Sequence, residues 1–341
     1  MRVIAILLVI SLAACGSGPS RSTDAGTNAA DAGGPCAATT WGNQTAMDVT
    51  VAKDLEFSSY SPQDVTVCLP PGPFRQVTWT FTAQGGALAQ CTQRDSTGVC
   101  NSTGDYVDRI IENGLVLGSG ADAPELELDR AVTAYGGTTN YTRDLTQFER
   151  LLGGQDTFRL SVQTGCKQGG YSATAVLHLV KGLPTDSGRH WGTAMQVFPA
   201  QRVADDASAG FGSASAKIHL AEALSGATLL VFATGHNNKG QACEEFCAGA
   251  QIELTVDGTS LGTVAPVQGG NDPHCVAGCD GCGHCQASSV AREGWCPGEA
   301  STQLGFFVGA LSAGDHTFTF KSLNAVTQGG YWVVSAALVA P

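Results

Sequence analysis

Cys243-Glu244-Glu245-Phe246-Cys247 sets carboxylates between two cysteines. If those cysteines pair, the loop they close is so small that the residues between them are forced outward, which fixes the direction of Glu245. Arg292-Glu293-Gly294-Trp295-Cys296-Pro297-Gly298 then puts a guanidinium and an indole beside another cysteine. A sugar ring requires this kind of setting, because its C–H face stacks on an aromatic ring while its hydroxyls need polar partners. Earlier in the chain, Cys91 and Cys100 bracket a polar loop, and Asp105-Tyr106-Val107-Asp108-Arg109 follows. Its adjacent acid and arginine supply a base and a cation in one spot. The plainer alternatives are a core tryptophan with a surface arginine at 292–295, and a solvated acid–arginine pair at 108–109.

The elements that must position these groups read as strands. Large apolar residues alternate with threonines in Val77-Thr78-Trp79-Thr80-Phe81-Thr82, and the same period of two recurs in Phe158-Arg159-Leu160-Ser161-Val162 and His316-Thr317-Phe318-Thr319-Phe320. Ile252-Glu253-Leu254-Thr255-Val256 runs into Asp257-Gly258, a dipeptide suited to the positive φ angles of a two-residue hairpin turn. Short strands with glycine-rich punctuation predict an all-β protein of antiparallel sandwiches. One helical pattern stands out: Leu145, Phe148, Leu151 and Leu152, opened by Asp144 and closed by Gly153-Gly154. It predicts about two turns of helix plugging the end of a sandwich. Alternation stops and turn residues cluster over Gly182-Leu183-Pro184-Thr185-Asp186-Ser187-Gly188, which places one sandwich at 36–183 and a second at 184–341.

The N-terminus points outside the cytoplasm. Arg2 supplies a positive start, and Val3 to Ala14 form an apolar run of twelve residues, long enough for a signal sequence and too short to span a bilayer. The run ends in Leu12-Ala13-Ala14-Cys15, which looks like a bacterial lipobox. The expectation is a signal peptide over 1–14, acylation of Cys15 and membrane attachment by the lipid alone. An ordinary secretory signal cleaved near Ala14 is the plainer alternative. From Gly16 to Pro35 there is no Leu, Ile, Val, Phe, Trp, Tyr or Met, so residues 15–35 should form a flexible tether. By resemblance to bacterial sorting rules, Gly16 after the lipid cysteine favours the outer membrane. A formal charge of −12, with 18 basic against 30 acidic residues, argues against nucleic acid as a partner.

Taken together these residues resemble the bacterial peptide-N-glycosidase F amidases. The resemblance runs through Thr234-Gly235-His236, Cys243 to Cys247 and Arg292 to Gly298, in order and at near spacing. The first half adds Cys100 followed by Asp108-Arg109, then Leu128-Asp129-Arg130-Ala131-Val132-Thr133-Ala134-Tyr135, Arg143-Asp144-Leu145-Thr146 and Leu151-Leu152-Gly153-Gly154. The resemblance implies two tandem antiparallel jelly-roll sandwiches packed side by side, with an active site in the cleft between them. It implies hydrolysis of the amide joining an asparagine side chain to the first N-acetylglucosamine of an N-glycan, with no metal or cofactor. Asp108 would be the essential acid and Glu245 the carboxylate that holds water. Arg109 and Arg292 would orient them and polarise the carbonyl. Trp295, Gln163, His236 and Phe246 would form the sugar-binding surface. The partners would be N-glycosylated proteins, and the chain is expected to act as a monomer.

The chain also departs from that pattern. Val107 stands where the family has a tryptophan, Gln163-Thr164-Gly165 where it has Glu-Thr-Trp, and Thr234 and Phe246 where it has tryptophans. Gln163 cannot act as a base. A non-catalytic glycan-binding lipoprotein of the same fold is therefore the second reading, and a copper monooxygenase, which also uses tandem jelly rolls, a remote third. No His-x-His pair serves copper among the seven histidines.

Without Cys15, twelve cysteines remain, an even number that fits six disulfides in an oxidising compartment. The resemblance pairs Cys275 with Cys296 and Cys91 with Cys100, and proximity suggests Cys36 with Cys68. Cys166, Cys279, Cys282 and Cys285 would share two more bridges. In the insertion from His274 to Cys285, Cys275, Cys279 and Cys282 also match an iron–sulfur spacing, and Cys282 with Cys285 could ligate zinc alongside His274 or His284. Disulfides are the favoured reading for an exported chain.

Overall fold

Apolar–polar alternation becomes sheet. Val77, Trp79, Phe81 and Ala83 are buried while the threonines between them are only partly covered, as the pleat of a half-buried strand requires. The computed structural model describes residues 39–57, 63–85, 106–112, 126–133, 138–163, 171–185, 188–206, 210–236, 251–268, 278–279, 285–286, 292–296, 298–323 and 330–341. The expected signal peptide, lipidated Cys15 and tether lie outside these residues.

Among the described residues the first half supplies eight strands: β1 (Ala46–Phe57), β2 (Gln63–Leu69), β3 (Phe74–Gly85), β4 (Tyr106–Glu112), β5 (Leu126–Val132), β6 (Thr138–Asp144), β7 (Gly154–Gln163) and β8 (Tyr171–Lys181). The second half supplies β9 (Thr193–Asp206), β10 (Gly210–Phe211), β11 (Ser213–Leu220), β12 (Leu224–His236), β13 (Ile252–Val256), β14 (Thr259–Val264), β15 (Val267–Gln268) and β16 (Gly278–Cys279). It continues with β17 (Cys285–Gln286), β18 (Arg292–Glu293), β19 (Glu299–Ala300), β20 (Leu304–Leu311), β21 (Gly314–Ser322) and β22 (Gly330–Ala340).

The pairing is nested and antiparallel. In the first half β1 pairs with β8, β2 with β7, β3 with β6 and β4 with β5. One sheet therefore runs β1-β8-β3-β6 and the other β5-β4-β7-β2. Nesting of this kind results when a long antiparallel ribbon rolls up on itself, and it defines a jelly roll. The long strands of the second half repeat it, with β9 on β22, β11 on β21, β12 on β20 and β13 on β14. The expected fold of two tandem jelly rolls is thus the one observed.

Each roll has its own core. Phe74, Trp79, Phe81, Phe148 and Phe158 anchor the first, and Phe198, Leu254, Phe318, Phe320 and Trp332 the second. The first core also takes in Leu230 of β12 and Ala337 and Val339 of β22, so it packs on the outer face of the second roll. β5 is buried along its whole length and β12 from Ala227 to Gly235. Strands covered on both faces lose the alternation of a half-exposed strand. A second link is covalently remote: β19, late in the chain, pairs with β5 through Glu299 opposite Val132 and Ala300 opposite Ala131.

The hairpin at Asp257-Gly258 forms as expected, with φ of 49° and 78° at its two central residues. The two-turn helix does not. Thr146–Phe148 make a single 3-10 turn, followed by a further i→i+3 bond from Leu151 N–H to the Phe148 carbonyl. The spacing explains the correction. Leu145, Phe148 and Leu151 are separated by three residues, the period that eclipses side chains in a three-residue turn, and all three are buried. Asp144 Oδ1 accepts the Thr146 N–H at 2.8 Å and so tightens the entry.

Candidate functional site

β4 lies between β5 and β7, and its ladder is interrupted at Asp108 on both sides. Val107 stands opposite Ala131 and Val162, but the next partners are Ile110 opposite Asp129 and Arg109 opposite Ser161. At Asp108 β4 thus carries an extra residue against each neighbour, offset on the β5 side by an extra residue between Asp129 and Glu127; such bulges bend a strand, break pairing and concentrate beside active sites. Gln163 ends β7 directly opposite Tyr106. Asp108, Arg109 and Gln163 therefore share one region of one sheet.

The second roll contributes the end of β12, where Thr234, Gly235 and His236 pair with Val333, Trp332 and Tyr331. Against it runs the segment that begins in β18. Arg292 pairs with Gln268 of β15, and Gly294 turns with φ +78°. A Cβ built on Gly294 would lie 2.0 Å from the Ala233 carbonyl oxygen, so only glycine allows this approach. Trp295 follows, donating its indole N–H to the Gly235 carbonyl at 2.9 Å and packing on Val132 of the first roll. Gly298 N–H then bonds to the Val132 carbonyl at 2.7 Å and Ser301 N–H to the Arg130 carbonyl at 2.6 Å. One segment thus leaves the end of β12 and ties itself to β5. His236, beside Gly235, and Arg292, three residues before Trp295, thus flank a segment tied to β5, the strand that neighbours β4 and its bulge at Asp108.

Beneath that junction is a buried charge network. Arg130, 1% exposed, donates through Nε to Glu127 Oε1 at 2.7 Å and through Nη2 to Glu127 Oε2 at 2.9 Å and Ser335 Oγ at 3.3 Å. Nη1 donates to Thr234 Oγ1 at 3.1 Å and the Val333 carbonyl at 2.7 Å. A guanidinium has five N–H groups, and all five are used. Ser335 Oγ in turn donates to Glu127 Oε2. Buried charge is tolerable only when paired and hydrogen-bonded, and this cluster meets that condition. Beside it, Asp129 accepts from Tyr141 Oη at 2.5 Å and Arg143 Nη1 at 2.6 Å. Burial, then the negative charge of Asp129, pushes the Tyr141 phenol well above its ordinary value, so it stays a donor. Arg130 and Arg143 stand 5.4 and 5.0 Å from the centre of the Phe232 ring.

One expectation changes. Trp295 is 2% exposed with its N–H committed to Gly235, which makes it a brace between the rolls; so covered a ring offers no open face for sugar stacking. The network of Glu127, Asp129 and Arg130 was not anticipated as a unit. Its signal was present in Leu126-Glu127-Leu128-Asp129-Arg130-Ala131-Val132, where three charges interrupt an apolar strand in a chain only 14% charged. Glu245 and Phe246 lie outside the described residues, as do Cys91, Cys100, Cys243, Cys247 and Cys275. Cys68 and Cys296 are disulfide-bonded; the partners expected for them, Cys36 and Cys275, also lie outside. In the insertion, the backbone pairs Cys279 opposite Cys285. Among the described residues no group of three or more His, Cys, Asp or Glu could hold a metal ion.

Residues 207–339 match the family model for the C-terminal domain of peptide-N-glycosidase F. No curated protein sequence matches the chain. The solved structure of PNGF-II in a P21 crystal form is similar with a TM-score of 0.63 and 16% identity, covering 88% of this chain and 66% of that one. This chain thus spans just under two-thirds of the length of PNGF-II. A peptide-N(4)-(N-acetyl-β-D-glucosaminyl)asparagine amidase gives a TM-score of 0.59 at 14% identity, covering 86% of this chain and 96% of that chain. PNGase F, a glycosylasparaginase from Flavobacterium meningosepticum, gives 0.56 at 14% identity, covering 86% and 95%. At these identities the structural likeness is one of fold. Residues 207–339 are thus similar to the C-terminal domain of the peptide-N-glycosidase F family, and the chain shares the fold of these solved structures over most of its length.

Proposed function

We propose that this protein is an exported amidase that hydrolyses the bond between an asparagine side chain and the first N-acetylglucosamine of an N-glycoprotein. The observation that carries the reading is the bulge at Asp108, set in the sheet that receives β19 from the second roll. Asp108 contacts the sugar–amide linkage, and Glu245 holds the attacking water. Water adds to the amide carbon, the C–N bond breaks, and the nitrogen leaves with the glycan as a glycosylamine while aspartate remains in the peptide. Arg109 and Arg292 orient the carboxylates and polarise the carbonyl. No metal enters this scheme. His236, Gln163 and Phe246 serve as the sugar-binding residues. Acylation at Cys15 and the tether to residue 35 would present the two rolls at the outer membrane.

Gln163 favours a second reading, a glycan-binding lipoprotein without turnover, because an amide opposite Tyr106 can hydrogen-bond a sugar but cannot take a proton. The two readings separate in one experiment. An amidase loses turnover on Asp108→Asn while retaining glycopeptide binding, whereas a binding protein shows binding with no turnover in either form.

A further inference from the structure

Arg130 holds four kinds of contact at once. Its side chain reaches Glu127 on its own strand, Thr234 on β12, and Val333 and Ser335 on β22. Its carbonyl accepts the Ser301 N–H of the segment returning from Trp295. The next residue, Ala131, stands between Ala300 of β19 and Val107 of β4, the residue before the Asp108 bulge. Apolar packing between the rolls, such as Leu230 and Ala337 on the first core, resists separation but only weakly resists sliding. A planar fork with every N–H directed at a fixed acceptor resists sliding in both in-plane directions.

We infer that Arg130 is a positioning residue: its fork fixes the setting of the first roll against β12 and β22, and with it the placement of Asp108 relative to the 292–296 segment. The consequence for turnover rests on the amidase reading, whereas the consequence for geometry does not.

The test must separate register from stability. The double variant Glu127→Leu with Arg130→Met replaces the ion pair with apolar groups of similar volume, a change that leaves the stability of buried sites nearly unaltered or raises it. Two readouts are taken on the full protein. The first is kcat and KM on a denatured N-glycoprotein. The second is the distance distribution between spin labels attached through ketone-bearing residues at exposed Lys53 on the first roll and Lys217 on the second, read by pulsed electron resonance.

The expected result is a native-like unfolding midpoint, a broadened distance distribution, and a kcat lower by about 10- to 100-fold at unchanged KM, the size of effect that ångström-scale misplacement produces. Arg130→Lys, which keeps the charge and loses the fork, should fall between wild type and the double variant. A narrow, unshifted distribution with wild-type kcat overturns the inference. Should the wild type release no glycan, the amidase reading fails and the distance distribution alone decides the positioning role. Should the double variant fail to fold, Thr234→Val with Ser335→Ala, which removes two acceptors at little change of volume, decides on the same readouts.

Discussion

Gly294 and Ala233 touch so closely that a methyl group on Gly294 would lie 2.0 Å from the Ala233 carbonyl oxygen. Both sides of this contact are backbone, so no side chain can rotate away to relieve it. The φ of +78° at Gly294 adds strain of its own for any other residue. The contact fixes where the chain leaves β18 and so where Arg292 and Trp295 stand.

Gly294→Ala is therefore expected to destabilise the protein by roughly 2 to 5 kcal/mol through overpacking plus left-handed strain. Denaturant unfolding of the disulfide-intact protein measures this. A loss below half a kilocalorie would mean that the segment does not dock on β12 as described.

The buried pair of Glu127 and Arg130 predicts a strongly non-additive response. Arg130→Met alone leaves the Glu127 carboxylate buried without its cation and should cost about 3 to 5 kcal/mol. Adding Glu127→Leu should recover most of that loss. Equal, additive losses from the two substitutions would contradict the pairing.

A pH effect follows from His316. Its Nδ1 faces Asp257 Oδ2 at 2.7 Å and its Nε2 the Ser312 carbonyl at 2.9 Å, two acceptors that only the imidazolium, with two N–H groups, can satisfy together. The Asp257 bond first, then the carbonyl, raises the His316 pKa above 6.5. The Asp257 carboxyl is lowered from 3.8, mainly by the Thr317 N–H and then by His316. A raised imidazole stabilises the fold fully below its unfolded value and loses that contribution as pH rises through the folded one; a lowered carboxyl loses its contribution as pH falls. Thermal midpoints of wild type and His316→Gln should thus differ most between about pH 4 and pH 6.5 and converge at higher pH. A difference that grows above neutrality would refute the pairing.

Tyr141→Phe removes a donor to the buried Asp129 and leaves that carboxylate to Arg143. The expected cost is about 1 to 3 kcal/mol, the penalty for an under-satisfied buried charge. Urea denaturation checks it.

The strands and the hairpin at Asp257-Gly258 were legible in the sequence because a half-buried strand must alternate and a tight hairpin must accept positive φ. The helix at 145–152 misled because four apolar residues at spacings of three and four fit either helix type. Neighbours decided it: Thr146 accepts the Val77 N–H, and Gln147 accepts Trp191 through its carbonyl. Trp295 beside Arg292 could be read as a sugar platform or as core. Its burial, its bond to the Gly235 carbonyl and the approach of Gly294 to Ala233, 61 positions apart in sequence, show that it is core. On β5 the charges themselves show in the sequence, but their pairing does not, since the acceptors Thr234, Val333 and Ser335 lie more than a hundred residues away.

The central claim is tested most directly by incubating the protein, made in an oxidising compartment, with a denatured N-glycoprotein and reading the former glycosylation sites by peptide mass spectrometry. The account predicts conversion of those asparagines to aspartates, with Asp108→Asn slower by roughly 100- to 10,000-fold, the range for removing a catalytic acid or base. Glycosylated asparagines left intact across several glycan types by the wild-type protein would contradict it.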